Sequence, residues 1–452
     1  MPLALLLCLL GLCGHSVAFR RADFTLPPGF TIAPYIVGPI PNARSLVRSG
    51  ASTRNKSITY VAAKGWDPQD ITALVDLTGD GKADYAWPIV KALSPMPNGI
   101  AWSRGSLFIA SQDPDVSCKL YRLDDVDSYA LTKRTARLAD LKLVLSSCPP
   151  TGTHGWKFIR FGPDGKLYLP IGAPCNNCLL GSYRQAAGRP LWRYGAIYSL
   201  NRDGTNLTLV ARDLGQMHQH ALVLHCAAGV RNTVGFDFHP TTGRLYFTDN
   251  GRDGLGDNMP DCELNVVTKP GQHFGFPFCH TSPVGGADNR PYLRLRGVGP
   301  SLVDPDENAG QTDMRCNGPD LKFSRAIQAL GPHTAPLGMR FYRWSAGANF
   351  PRSYDKSIFI AQHGSWNRRQ PIGARVMRVV LNSTHPTRVL KYLPFLTGGI
   401  SGDKGAPTGP DPPPTGGYIS RPVDVEQLAD GSLLVSDDGE GAVYRISYTP
   451  PA

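Results

Sequence analysis

The sequence predicts an all-β fold, and within that class a six-bladed β-propeller, on three observations. Charged residues make up 18% of the 452-residue chain, against about 25% in ordinary globular domains, which disfavours coiled coils and helical bundles. Glycine and proline number 49 and 40, and both weaken helix interiors. A unit of apolar strand, polar turn-rich insertion and second strand recurs six times. The copies span 57–77, 106–123, 166–200, 244–267, 357–381 and 432–446, and three follow tight turn signals, GPDGK, HPTTGR and LADGS. Such turns suit hairpins. Each unit buries its faces only against its neighbours, and closing the circle removes the sheet edges that separate units would expose.

In chain order, residues 1–18 (MPLALLLCLLGLCGHSVA) run apolar and end on small residues, the pattern of a secretory signal peptide. The expectation is a secreted chain whose residues 19–452 form one propeller domain. No later stretch is apolar for long enough to predict a membrane span. Asn-x-Ser/Thr sites at Asn55, Asn206 and Asn382 fit a glycoprotein. Beyond the leader there are eight cysteines, an even count that points to disulfides in an exported protein; spacing does not assign the pairs. Cys175 and Cys178 have no second pair to complete a zinc site, so they read as structural. The inserts between copies vary, and 270–350 and 401–417 read as long loops on the top face. The net charge of +11 is dispersed, with no basic run longer than Arg20-Arg21 or Arg368-Arg369. With export, this argues against a nucleic-acid partner and leaves either a small acidic ligand or a solubilising surface.

Polar residues from several blades converge at the mouth of a propeller, so candidate site residues lie just before or after the inner strands. Three segments qualify: THGWKFIRFGPDGKLYLPIG with His154, GVRNTVGFDFHPTTGRLYFTDNGRD with Arg231, Asn232 and the turn 250–253, and SRPVDV with Arg421. A lone histidine is commonly structural and an arginine commonly braces a turn. Recurrence at matching blade positions is what favours function. Arginines meeting at an axis repel unless an anion sits between them, and a histidine beside them suits general-base work near neutral pH.

These segments, with HFGFPFCH, HTAPLGMRFY and AQHGSWNR, resemble in motif and order the pyrroloquinoline quinone (PQQ) dependent glucose/sorbosone and pyranose dehydrogenase family, from about residue 90 to 447. The resemblance implies a six-bladed propeller holding PQQ and Ca2+ at the top of its axis. It implies that His154 removes the proton of a sugar hydroxyl, that Arg231 and Asn232 contact the quinone, and that Arg421 pairs with a cofactor carboxylate. Gly251 and Arg252 would offer backbone carbonyls to calcium, a hard cation that takes oxygen ligands. Three carboxylates on PQQ account for arginines at the axis.

The chain departs from the family at three points. Ala173 stands where an Asp would orient the catalytic His, leaving Asn176 as the candidate to hold His154. Val423 replaces a second Arg. No Lys occurs in AQHGSWNR, which leaves His363 or Arg368 to contact the cofactor.

Trp156 and Trp366 are candidates to stack on a sugar ring or to fill space between blades, and His280 and His333 are further pocket candidates. The loop DLTGDGKAD at 76–84 has calcium-like spacing without the closing Glu of an EF-hand, and reads as a solvated turn. The leading expectation is a secreted oxidoreductase that takes an aldose, pyranose or sugar aldehyde and passes electrons to a separate acceptor. A calcium-dependent lactonase-type hydrolase and a cofactor-free propeller binding a carbohydrate or protein partner are the alternatives, since a fold does not decide chemistry.

Overall fold

The computed structural model describes residues 24–63, 70–93, 96–113, 117–149, 154–178, 194–209, 227–269, 271–282, 301–307, 316, 323–401 and 417–451. The predicted leader, residues 402–416 and most of 283–322 lie outside the described residues.

Six sheets of four or more strands stand around one axis, and neighbouring strands pair antiparallel except for Ala227–Ala228 and Gln272–His273, which pair in parallel. Each predicted copy is the middle pair of strands of one blade. In blade one the copy forms Ser57–Ala63 and Ile71–Asp76, flanked by the inner strand Ala43–Arg48 and the outer strand Tyr85–Val90. Blade two begins at the inner strand Met96–Ser103 and ends at Leu141–Cys148. Blade three has a short inner strand, Arg160–Phe161, and extra short strands outside Ala196–Leu200. Blades four and five begin at Phe236–Phe238 and Pro336–Phe341, and blade six at Pro422–Gln427.

The stretch 270–350, read as a loop, also carries, besides three two-residue strands, the outer strand of blade four, Gln328–Pro332, and the inner strand of blade five. Gln328–Pro332 includes Gly331 and Pro332, which mask its strand character. The circle closes where Phe30–Pro34 pairs along Ala442–Tyr448 as the outermost strand of blade six. One short helix, Val126–Leu131, packs on blade one.

Middle strands are buried on both faces, as in Ser57–Ala63, Ile71–Asp76 and Leu433–Asp437. Their near-continuous apolar runs follow from that two-sided burial. The apolar clusters lie between adjacent blades. One joins Tyr60, Ile71 and Val75 of blade one to Ile100, Leu107 and Ile109 of blade two. Another joins Phe359 and Phe395 of blade five to Val425 and Val435 of blade six.

Candidate active site

In every blade the inner strand and the second strand run antiparallel. The start of one and the end of the other therefore share one end of the axis. His154, Arg231 and Arg421 precede the inner strands of blades three, four and six, and Arg44 lies at the start of that of blade one. Ala173, Asp249, His363 and Asp437 occupy or follow the ends of second strands. Arg231 and Arg421 occupy equivalent positions. Asp249 accepts the backbone N–H of Arg231 at 2.9 Å, and Asp437 accepts that of Arg421 at 3.0 Å.

His154 is buried, and its Nδ1 lies 2.7 Å from the Ala173 carbonyl. A carbonyl only accepts, so Nδ1 carries the proton and Nε2 keeps its lone pair. The carbonyl of Ala173 thus does the orienting, in place of the side chain of Asn176. Gly172 permits the approach, since a Cβ there would meet the His154 Cβ at 2.8 Å. Burial, and then the charge of Arg231, push the imidazole down to about 3. Desolvation disfavours the imidazolium, so in the protein alone the imidazole is held neutral.

Arg231 is held by four acceptors. Its Nε meets the Asn176 carbonyl at 2.8 Å and its Nη1 the Asn250 carbonyl at 3.2 Å. Its Nη2 meets Asn176 Oδ1 at 2.8 Å and Asp253 Oδ2 at 3.1 Å. Of five guanidinium N–H donors, one on Nη1 has no partner among the described residues. The Asn232 backbone N–H binds Asp249 Oδ1 at 2.6 Å, and its half-buried side-chain amide has no hydrogen-bond partner among the described residues. Asp249 is pushed up to about 7 by burial and by Glu263.

A second group was missed from sequence. Asp438 joins His363 Nε2 at 2.7 Å to Arg44 Nη1 at 2.5 Å, and Arg44 Nε reaches Asn98 Oδ1 at 2.9 Å. The Arg44 guanidinium lies 5.6 Å from the centre of the Trp156 ring, which gives Trp156 a cationic neighbour in place of free space. Below it Lys157 donates to Gln112, and burial pushes its amine down to about 7. Arg44 had a signal, its place at the start of an inner strand, but the recurring unit in the sequence covers only the middle strands. Arg421 donates to the carbonyls of His363 and Gly364, both at 3.2 Å, and lies over Tyr418. Among the described residues no carboxylate pairs with it, and its Nη1 has no partner. Val423 packs with Phe158, Val234 and Leu337 of blades three to five. The missing second Arg is thus an apolar floor beneath the polar mouth.

The turn 250–253 presents the carbonyls of Gly251 and Arg252, and among the described residues neither accepts a hydrogen bond. Two unmatched carbonyls are the donor chemistry a hard cation takes. No cluster of three or more His, Cys, Asp or Glu side chains among the described residues is arranged to hold a metal. The Arg252 side chain turns away, to Asp304 at 2.6 Å and Asp306 at 2.8 Å, and Asp304 also meets His280 at 2.7 Å. Asp253 collects Arg231, Asn367 Nδ2 at 2.7 Å and His333 at 3.5 Å.

One expected contact lies elsewhere. Arg368 binds the Asp257 carbonyl and Asn258 Oδ1, bracing that loop, and its Nε meets the Gln370 carbonyl, so three protein acceptors hold its guanidinium away from the axis. Trp366 is 78% exposed, so it fills no space between blades. In the 76–84 loop, Asp76 accepts the N–H groups of Thr78, Gly79 and Gly81, and Asp84 that of Leu77. These bonds make it a turn. Disulfides join Cys118 to Cys148, Cys175 to Cys178 and Cys279 to Cys316. Cys262 is a buried free thiol and Cys226 lies outside the described residues.

A family model described as TrAA12-like matches residues 224–449, half of the chain, and one described as Glucose / Sorbosone dehydrogenase matches 120–288. An uncharacterized protein of Borreliella burgdorferi is 39% identical over 222 residues, covering 49% of this chain and 48% of that protein. The pyrroloquinoline quinone-dependent pyranose dehydrogenase of Coprinopsis cinerea is 39% identical over 74 residues, 16% of this chain and 8% of the enzyme. The matched segments thus span about half and less than a tenth of these curated relatives.

Among solved structures, the calcium structure of a Trichoderma reesei carbohydrate-active enzyme of family AA12 superposes with a TM-score of 0.69 at 15% identity, covering 96% of this chain and 100% of that one. The holo form of the PQQ domain of the Coprinopsis cinerea pyranose dehydrogenase gives 0.65 at 17% identity, covering 94% and 97%. At that identity the superpositions show the fold.

Proposed function

This chain belongs to the TrAA12-like family, and from that membership we propose that it is a PQQ- and calcium-dependent oxidoreductase acting on an aldose, a pyranose or a sugar aldehyde. One observation carries the reading. Three blades bring His154, Arg231 and Arg421 to one end of the axis, and among the described residues the Arg421 guanidinium meets two carbonyls and the Tyr418 ring but no carboxylate. A half-buried cation without a carboxylate partner among the described residues suits an anionic ligand.

When bound, PQQ supplies the acceptor for the two electrons that leave the sugar carbon as hydride. The residues of the chain do the rest. With Nδ1–H donated to Ala173, His154 directs Nε2 to the sugar hydroxyl and takes its proton. An anion seated beside Arg231 offsets the charge that depresses the imidazole, and so moves His154 back toward the range where a base is efficient. The free N–H of Arg231 and the amide of Asn232 are donors for a quinone oxygen, and Arg421 is the donor for a carboxylate. The carbonyls of Gly251 and Arg252 would hold Ca2+. Of the two residues that could take the role of the family's Lys, His363 is the one at the mouth, with Asp438 as its partner. Trp366, exposed at the rim, offers a ring face to a sugar. Electrons then pass to a separate acceptor. Three disulfides among the described residues support export, with residues 1–18 as a cleaved leader and 19–452 as the mature propeller domain.

The test adds PQQ and Ca2+ to purified protein and follows sugar-dependent dye reduction. Reduction by wild type that falls at least about a hundredfold in His154→Ala, the scale of a lost general base, supports the assignment. Stoichiometric calcium binding with lactone hydrolysis and no quinone uptake would replace it with a hydrolase.

A further inference from the structure

Residues 174–177 belong to no strand and join blade three to the site through side chains, in a loop closed by the Cys175–Cys178 disulfide. Asn176 makes four contacts from this loop. Its carbonyl accepts Arg231 Nε, and its Oδ1 accepts both Arg231 Nη2 and the backbone N–H of Asp253, each at 2.8 Å. Its Nδ2 donates to the Asp253 carbonyl at 3.1 Å. The side-chain amide therefore pairs with the Asp253 backbone in both directions, as a neighbouring strand would. Asn177 Nδ2 reaches Asp304 Oδ1 at 3.3 Å, and Asp304 holds Arg252.

We infer that Asn176 is a positioning residue that fixes the Arg231 guanidinium and the 250–253 turn in one arrangement. Two of the four protein acceptors of Arg231 are atoms of Asn176. Without the side chain, Nη2 loses an acceptor and the turn loses both contacts to the Asp253 backbone. The unused Nη1 donor and the carbonyls of Gly251 and Arg252 then lose their common alignment. The function assigned to that alignment rests on the proposed reading of the site, whereas the coupling itself belongs to the protein alone.

The experiment compares wild type, Asn176→Ala and Asn176→Asp, all as the full chain. Asn176→Asp keeps the Oδ1 acceptor for both Arg231 and the Asp253 N–H. Hydrogen exchange without cofactor is measured first, across 249–255. Exchange there is expected to rise about tenfold in Asn176→Ala and to stay nearer wild type in Asn176→Asp, with the melting temperature little changed. With PQQ and Ca2+ at saturation, Asn176→Ala is expected to lower kcat about tenfold, the scale of one hydrogen bond to a charged group. Sugar KM should stay within about twofold, since the hydrogen bond is to Arg231 and not to the substrate. Asn176→Asp should recover most of the loss. Unchanged exchange in Asn176→Ala, or equal loss in both variants, overturns the inference. A wild type that takes up no quinone overturns the redox reading instead, and the exchange measurement still decides the role of Asn176.

Discussion

At the level of single residues, the site is organised by which polar groups the protein leaves unmatched. His154 is a buried neutral base, and its linkage to pH has a definite sign. Its ordinary value is 6.5 and burial takes it to about 3 in the folded state. Unfolded chains therefore bind the proton first as pH falls. Stability is unaffected above 6.5 and declines between 6.5 and about 3. His154→Gln should flatten the fall of melting temperature in that window, and thermal melts at stepped pH check it; parallel curves would contradict the assignment. Arg421 is the complementary case. Arg421→Leu should weaken PQQ binding by about tenfold to a hundredfold, the range for a hydrogen-bonded charge, and a quenching titration measures it. Equal affinity in the variant would remove Arg421 from the site.

Individual elements explain how such residues reach one place. The end of a second strand lies beside the start of an inner strand, so each blade delivers two positions to the same face. The closing strand Phe30–Pro34 has a separate task. Phe30 packs against the rings of Phe350, Tyr354, Phe395 and Tyr448, all with centroids within 5.1 Å. It thereby fastens the N-terminal strand to blades five and six. Phe30→Ala should cost about 3–5 kcal/mol, the range for an aromatic truncated in a core, read as a lower urea midpoint. A cost below about 1 kcal/mol would mean that the closure rests on the backbone ladder alone.

Across the whole molecule, the end of the axis opposite the site is tied by charge. Arg340 on blade five donates to Asp424 and Glu426 of blade six, both at 3.0 Å, and to the Leu46 carbonyl of blade one. Arg160 of blade three also reaches Glu426, at 3.1 Å. Asp237 of blade four is pushed down to about 2: burial alone would raise it, and Arg160 and Arg343 outweigh that effect. Removing one member leaves a buried charge without its partner. Arg340→Ala should therefore destabilise by about 3–5 kcal/mol, measured by equilibrium unfolding, while leaving PQQ affinity unchanged because the network stands apart from the mouth. A parallel loss of cofactor binding would show that floor and mouth are coupled.

The six strand pairs were legible because two-sided burial writes continuous apolar runs into a sequence, and His154, Arg231 and Arg421 because each precedes an inner strand. The shared Asp438 of Arg44 and His363, the Ala173 carbonyl beneath His154 and the bracket of Asn176 were not. Each depends on groups far apart in the chain, or on a backbone atom that every residue type carries. Local pattern determined which segments become strands and which polar residues stand at their ends. Closing the ring decided which of those residues meet, which charges are neutralised, and where burial holds a histidine uncharged, because partnership and desolvation are properties of distance in space.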